Sequence, residues 1–507
     1  MKRLVSIAII LLMLLSSISA AAYSSGSFSN GDVNRDEVLS IKDATAIQKF
    51  LAKLVEFDKT QEQLADVNLD GTVSIKDATY IQEVLAKIKE LPEEPTTQPE
   101  STEPESTEPE STQPESTKPE PTEPVTTQPA TQPQTELSSE IKISYGNNLG
   151  WSKVYFYFYS SDGKSQVKEW PGITPSKTGS TGGRDIYSYT IDISKFDRVV
   201  FTNGTDKTMD VPLGLSSTGF YPTGKKDKEG KYIVDKLQLS GVSKGKLTTT
   251  ELEYSSGYKK KIWIYTPAGY SASLKEKYPT VYVADGQNLF SDHKDGYGGW
   301  NVDGAVDGLL ANTGKGVIAV GIDNGNSKRD SELTPNIGTI NPDLPAYEQK
   351  HYSNGTGKAY SDFVVNKVMK YVRENYNSSD KREENCIAGS SSGGLEAFYI
   401  GMENKDKFGT IGSLSPAFLL FNDSVWNTYL KKFDLKDDSI PKLYLYCGTN
   451  DSLEKELYTY TAQMKTRLTK AGFPSSKLKY SIFEPGMHNE QWWRMYFPEV
   501  MSLFFGF

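Results

Sequence analysis

Apolar and polar positions divide this chain into stretches with very different periods. After Lys2 and Arg3, residues Leu4 to Leu15 are predominantly apolar and run toward Ala20-Ala21-Ala22. The run is too short to span a bilayer, so it predicts a signal peptide over residues 1–22. No later stretch is long and apolar enough to span. Two polar loops follow, each leading into an amphipathic helix, within residues 29–92. Residues 93–138 repeat Glu-Ser-Thr-Glu-Pro and Thr-Gln-Pro units with almost no aliphatic residue, so they have nothing to bury and predict an extended, disordered linker. Residues 139–236 switch to period two. Val154 to Tyr159 alternates two aromatic faces, Ile186–Ile191 and Arg198–Phe201 are further strands, and Gly, Asp and Asn punctuate the gaps. That pattern predicts a β-sandwich. Further along, Thr280–Ala284, Asn385–Ala388 and Lys442–Cys447 are short apolar strand-like runs, and Gly394–Met402 is a helical one. The expected architecture is therefore multidomain: a small all-α unit, a linker, a β-sandwich and a C-terminal region with both strand-like and helical runs.

Chemistry concentrates in the last domain. Gly389-Ser390-Ser391-Ser392-Gly393 reads G-x-S-x-G centred on Ser391, the one serine of the three with glycines at both −2 and +2. A strand-like run, Asn385–Ala388, precedes it, and a helical run, Gly394–Met402, follows. Strand, tight turn and helix make a nucleophile elbow. A serine nucleophile needs a base. Of the three histidines, His293 and His351 lie in polar loops before the elbow and read as surface residues. Only His488 follows Ser391, in the Gly/Pro loop after the strand Lys479–Phe483. The acid must lie between the two. Asp451 stands just past the strand Lys442–Cys447. Glu454 and Glu456 compete with it, but acids opening a helix already have a structural explanation. That helix has its apolar positions at Leu457, Thr461, Met464 and Leu468. Glu484 is too near His488 in sequence. Oxyanion donors are expected at the backbone N–H of Ser392 and, after the strand Thr280–Ala284, at that of Gln287.

These residues carry a resemblance. Asp285 through Phe290, Trp300 through Asp303, Arg329 through Pro335, the Ser391 elbow, Gly448 through Asp451 and His488 through Trp493 occur in the order found in esterase D-like esterases, which include carbohydrate esterase family 1. The resemblance covers residues 246–507. It implies an α/β-hydrolase with a Ser391, Asp451, His488 triad, and acyl esters of carbohydrates or siderophores as substrates. Ser392 replaces the glycine often found beside the nucleophile.

The N-terminal loops are an internal repeat at a spacing of 34 residues, Asp32 against Asp66. Oxygen side chains recur at loop positions 1, 3, 5, 9 and 12: Asp32, Asn34, Asp36, Ser40 and Asp43, then Asp66, Asn68, Asp70, Ser74 and Asp77. This is the EF-hand spacing, with aspartate at position 12. It predicts two structural calcium ions and calls for no organic cofactor. Glu37 stands where glycine eases the sharp turn, and Gly71 keeps it in the second loop. The segment resembles a type I dockerin. That implies a cohesin module of a scaffoldin as partner, touched at positions 10 and 11, Ile41-Lys42 and Ile75-Lys76.

In the β-rich segment, Val154, Phe156 and Phe158 are expected in the core. Trp151, Tyr155, Tyr157 and Trp170 are the candidates for stacking on sugar rings. Trp170-Pro171-Gly172 and Phe201 through Gly204 resemble starch-binding modules of families 25 and 26. Either a starch-like or a plant cell-wall glycan would fit such a face.

Charge and cysteine usage narrow the field. A net charge of −9 and a pI near 5.3 argue against nucleic acid as a partner. The two cysteines, Cys386 and Cys447, both lie in apolar strand runs and are expected as free thiols. The reading that joins these expectations is a secreted carbohydrate esterase of a cell-surface cellulosome or amylosome, removing acetyl or feruloyl groups. The competing readings are a non-catalytic polysaccharide-binding subunit with a hydrolase fold, and a siderophore-type esterase. The long polar loop 324–358 and Trp492-Trp493 are expected to shape the acyl pocket.

Overall fold

The computed structural model describes residues 23–24, 30–35, 38–51, 55–69, 71–85, 89, 91, 137–291 and 298–507. The expected signal run and most of the linker lie outside the described residues, as do Asp36, Glu37, Asp70 and His293. The rest forms two compact units, one within residues 7–132 and one from residue 133 onward.

In the first unit, strands β1 (Tyr23–Ser24) and β2 (Val38–Leu39) pair antiparallel. Helices α1 (Ile41–Leu51) and α3 (Ile75–Leu85) follow the two polar loops, and α2 (Lys59–Ala65) stands between them. The sequence pattern had marked only α1 and α3. Asp58 caps α2 by accepting the N–H groups of Thr60 and Gln61. The core is small: Val33, Ala44, Ile47, Val67, Ala78 and Ile81 are fully buried within one cluster. The two loops repeat one backbone, since Arg35 and Leu69, at the same loop position, both have φ 58°.

The second unit begins with a β-sandwich. Its strands are β3 (Glu140–Asn147), β4 (Tyr155–Tyr159), β5 (Ser176–Thr181), β6 (Arg184–Asp192), β7 (Arg198–Thr202), β8 (Val211–Pro212), β9 (Gly219–Lys226) and β10 (Tyr232–Lys236). They form a five-stranded sheet in the order β10-β9-β3-β6-β5 and a three-stranded sheet β4-β7-β8. Phe156 and Phe158 point inward and are fully buried, as period two requires, while Tyr155, Tyr157 and Tyr159 point out and are half-buried. Trp151 departs from its expected place on a sugar-binding face. It is buried, its ring stacks 5.8 Å from that of Tyr145, and the Asn147 side chain bonds both its N–H and its carbonyl. Trp151 is core.

An eight-stranded sheet follows, built from β11 (Lys246–Ser255), β12 (Tyr258–Thr266), β13 (Thr280–Ala284), β14 (Ile318–Ile322), β15 (Asn385–Ser390), β16 (Thr410–Leu414), β17 (Lys442–Gly448) and β18 (Leu478–Glu484). The spatial order is β11-β12-β14-β13-β15-β16-β17-β18, antiparallel for the first three strands and parallel from β14 onward. The central strands are buried along their whole length, so they read as continuous apolar runs rather than alternating ones. The helices used below are α4 (Val302–Thr313), α5 (Ala346–Tyr352), α6 (Ser392–Glu403), α7 (Ser452–Lys470) and α8 (Glu490–Phe505).

The sandwich and this sheet share one core. A single cluster of buried apolar side chains runs from Ile141, Phe156 and Val211 to Trp300, Phe497 and Val500. Backbones meet as well: a Cβ on Gly214 would lie 2.2 Å from the carbonyl oxygen of Pro498, so no larger residue fits there. Arg198 of β7 reaches Glu499 of α8 at 2.5 Å, and Arg494 of α8 pairs with Asp235 of β10 at 2.6 Å.

Candidate active site

The turn between β15 and α6 holds Ser391 at φ 56°, ψ −127°. That is an unfavourable backbone for a non-glycine residue and costs on the order of 1–3 kcal/mol. The turn closes because its flanking residues have no side chains. A Cβ on Gly389 would lie 2.2 Å from the Gly393 carbonyl oxygen. The Ser391 carbonyl accepts the N–H groups of Gly394, Leu395 and Ala417, and its own N–H bonds the carbonyl of Leu414. Ser391 is thereby fixed at the N-terminus of α6, at the C-terminal edge of the parallel strands.

His488 lies in the turn after β18 and is buried, with 8 % of its surface exposed. Its Nδ1 is 3.0 Å from Oε1 of Glu454, whose side chain is fully buried. Asp451, the acid expected from sequence, does not reach the imidazole in this arrangement. One of its oxygens accepts the backbone N–H of His488 at 2.6 Å, and the other caps α7 by accepting the Glu454 N–H at 2.8 Å. The structure thus brings Glu454, and not Asp451, to the imidazole. Asp451, at the N-cap, shapes the histidine turn, and Glu454, three residues on, turns inward to the ring.

Glu454 is well supplied with donors. Its Oε2 accepts the Gly448 N–H at 2.8 Å and the Cys447 thiol at 3.0 Å. Burial pushes its pKa up. The hydrogen bond and charge of His488, with the Cys447 and Ser415 side chains, more than offset this and hold it below the usual carboxylate value. Trp493 braces the other side of the ring, edge-on to His488 at 5.0 Å, with its indole N–H on Ser415 Oγ at 3.1 Å. Both Trp492 and Trp493 are buried, and of the two it is Trp493 that meets the histidine.

The early-strand loop abuts the elbow. Asp285, at φ 59°, follows β13 and opens a single turn, Gly286–Asn288, that contains Gln287. Arg329 grips both Asp285 oxygens, at 2.6 and 2.9 Å, and Asn324 donates to one at 2.6 Å. A Cβ on Gly393 would lie 2.8 Å from Asp285 Oδ2, which places this loop against the turn carrying Ser391 and Ser392. The Gln287 side-chain amide is buried and has no hydrogen-bond partner among the described residues. His351, read as a surface residue, bonds Asp330 at 2.9 Å on the exterior. Both cysteines are free and buried, and burial raises both thiol pKa values.

The N-terminal loops fit calcium as far as they are described. Asp32 and Asp43 are buried together in the first loop, and Asp77 is fully buried in the second. Burial first, and the charge of Asp32 as well, raise the pKa of Asp43, an environment that a cation would relieve. Asp43 accepts the N–H groups of Asn34 and Ser40, and Asp77 those of Asn68 and Ser74, so position 12 organises each loop identically. In the second loop Asp66 also accepts the Gly71 N–H at 2.8 Å. Asp36 and Asp70 lie outside the described residues, and among those described no three His, Cys, Asp or Glu side chains are grouped for a metal. Ile41 and Ile75 open α1 and α3. The side chains of Ile41, Lys42 and Ile75 lie outside the description, and Lys76 is exposed.

On the sandwich, Trp170 is 45 % exposed and meets Tyr157 edge-on at 5.4 Å. Tyr157 bonds Gln166 at 2.7 Å and neighbours Tyr159 at 5.7 Å. Tyr155 lies on the same face. Three of the four expected sugar-binding residues therefore share one outward surface, and Trp151 does not.

Known proteins share these parts. The family model for the dockerin type I domain matches residues 30–86, that for starch-binding module 26 matches residues 143–212, and that for "Putative esterase" matches residues 255–504. An acetyl esterase of Caldicellulosiruptor saccharolyticus is 25% identical over 146 residues, a match covering 22% of this chain and 55% of that relative. The chain thus spans about half the length of this curated relative. Among solved structures, a siderophore hydrolase of Aspergillus nidulans has a TM-score of 0.40 at 19% identity, over 53% of this chain and 97% of its own. A ferulic acid esterase of Anaeromyces mucronatus has a TM-score of 0.38 at 21% identity, over 53% and 94%. By its three family matches, the chain is a multidomain protein that carries a dockerin type I domain, a starch-binding module 26 and an esterase domain.

Proposed function

We propose that the protein is a secreted, dockerin-bearing carbohydrate esterase that removes acetyl or feruloyl groups from polysaccharides. The observation that carries this reading is the buried pair of His488 Nδ1 and Glu454 at 3.0 Å, set in the same catalytic edge as the strained Ser391 elbow. In the reaction, Ser391 Oγ attacks the ester carbonyl while His488 Nε2 takes its proton. Glu454 fixes the tautomer by accepting the Nδ1–H and stabilises the imidazolium. The N–H groups of Ser392 and Gln287 receive the developing oxyanion. His488 then gives the proton to the departing sugar oxygen, which leaves as a hydroxyl, and an acyl-Ser391 remains. Water, deprotonated by His488, attacks that ester, the proton passes from His488 to the departing Ser391 Oγ, and the acid is released.

The other modules supply location. In the dockerin, Asp32, Asn34, Ser40 and Asp43, with Asp66, Asn68, Ser74 and Asp77, would hold calcium together with Asp36 and Asp70. Folded in this way, the module would dock a cohesin of a cell-surface scaffoldin through Ile41, Lys42, Ile75 and Lys76. The face of Trp170, Tyr157 and Tyr155 would hold an α-glucan or a related polysaccharide.

Hydrolysis of p-nitrophenyl acetate by the full chain tests the reading, followed by release of acid from acetylated and feruloylated polysaccharides. Ser391→Ala should remove activity by ~10⁴-fold or more with the fold intact. Retention of activity in Ser391→Ala, with loss in Ser390→Ala or Ser392→Ala, would place the nucleophile elsewhere.

A further inference from the structure

The sandwich sends one charged side chain deep into the esterase domain. Arg198 lies opposite Tyr159 in the β4–β7 pairing, so it belongs to the outward face of its sheet. It is nevertheless buried, with 4 % exposed, in the gap between β18 and α8. Its guanidinium contacts Glu499 Oε1 at 2.5 Å, Glu484 Oε1 at 3.3 Å and Ser481 Oγ at 3.2 Å. Burial works against its charge, but Glu499 and Glu484 hold its pKa well above the ordinary value. The cation is therefore fixed.

Glu484 is the last residue of β18 and the first of the turn that carries His488. Its carbonyl accepts the Thr449 hydroxyl at 3.2 Å, from the loop that bears Asp451. Its other carboxylate oxygen accepts the Tyr496 hydroxyl at 3.0 Å. Further along the turn, the Gly486 carbonyl accepts the Asn450 N–H, and the His488 N–H bonds Asp451. The turn is thus pinned along its length by the esterase domain. At its root, the cation on Glu484 comes from the sandwich.

The geometry points to Arg198 as a positioning residue for His488. The sandwich, beyond carrying a glycan face, completes the root of the histidine turn. Without Arg198, Glu484 and Glu499 lose the cation that bonds them both, and the start of the turn is free to shift. A small displacement of a general base costs rate far more than it costs binding. This inference rests on the esterase reading above.

The test uses the full chain and p-nitrophenyl acetate. Arg198→Met should lower kcat at least tenfold with KM within about twofold, and Arg198→Lys should recover part of the loss. Asp235→Asn cuts the other junction ion pair, which does not touch the histidine turn, and should leave kcat within about twofold of wild type. If Arg198→Met does not fold, Glu484→Gln reads the same link from the esterase side and should show the same loss of kcat. A folded Arg198→Met or Glu484→Gln enzyme with wild-type kcat would overturn the inference alone. So would an equal loss in Asp235→Asn, which would mean that docking in general is what matters. A wild-type protein inert toward esters would overturn both this inference and the esterase reading.

Discussion

The dockerin and the sandwich are both accessory modules, yet they are held together in opposite ways. The dockerin buries a small apolar cluster of its own and gathers buried carboxylates in its loops. The sandwich has no core that stops at its boundary, because its cluster continues through Leu213 and Leu215 to Phe497 and Val500 of α8. A module with few buried apolar side chains has the most to gain from a metal that closes its loops. A module whose apolar face is covered by its neighbour needs that neighbour instead. Sequence similarity to a family marks a module in either case, but only the core shows whether it can stand alone.

Separating the modules gives the largest expected effect. An esterase domain begun after residue 236 exposes apolar α8 and α4 surface and leaves Glu499 without Arg198. It should lose cooperative melting or melt at least ~10 °C below the full chain by calorimetry, the equivalent of several kcal/mol. An excised domain that melts like the intact chain would show that the shared core adds nothing. The dockerin should behave in the opposite sense. Chelating calcium should unfold residues 29–92 and release a bound cohesin, while the melting of the sandwich and esterase and the hydrolysis of p-nitrophenyl acetate stay unchanged. A dockerin that keeps its circular dichroism in chelator would remove the contrast.

Within the sandwich the contrast sharpens to single residues. Trp170 is exposed and Trp151 is core. Trp170→Ala should weaken retardation in a starch gel by about 30-fold in affinity, the equivalent of ~2 kcal/mol, and leave the melting transition in place. Trp151→Ala should lower the melting temperature. Binding of xylan without starch would keep the face and change its glycan. An intact Trp170→Ala complex would move the binding site elsewhere.

Periodicity made the architecture legible. The aromatic alternation of 154–159 gave the inward Phe156 and Phe158, and the glycines about Ser391 gave the elbow. What escaped was long-range. Trp151 looked available because aromatic residues in a β-rich module serve core and ligand alike, and nothing local marks its packing on Tyr145. Arg198 opens a strand as any surface arginine could; its partners lie far along the chain, in β18 and α8. Glu454 did carry a signal. It precedes Leu457 by three residues and Thr461 by seven, so it extends the buried stripe of α7 through Met464 and Leu468. An acid on the apolar side of a helix needs a buried partner, and the dipole explanation for first-turn acids concealed that requirement. Asp451 was the residue with the ordinary capping role.

The carboxylate beside His488 also carries a pH dependence of stability. Glu454 has a lowered folded-state pKa. The stability it contributes is therefore present above its unfolded value and is lost as the pH falls through the lower folded one.

The most direct measurement of the central claim compares Glu454→Gln with Asp451→Asn in kcat for p-nitrophenyl acetate, both in the folded full chain. Glu454→Gln keeps the shape of the site but removes the charge and, with its one remaining oxygen held by the Gly448 N–H, turns an amide NH2 toward His488 Nδ1; it should lower kcat by ~10³–10⁴-fold. Asp451→Asn keeps an oxygen for the α7 cap or the His488 N–H and should cost about tenfold or less. A large loss in Asp451→Asn beside a near-normal Glu454→Gln would return the acid's role to Asp451 and contradict this account.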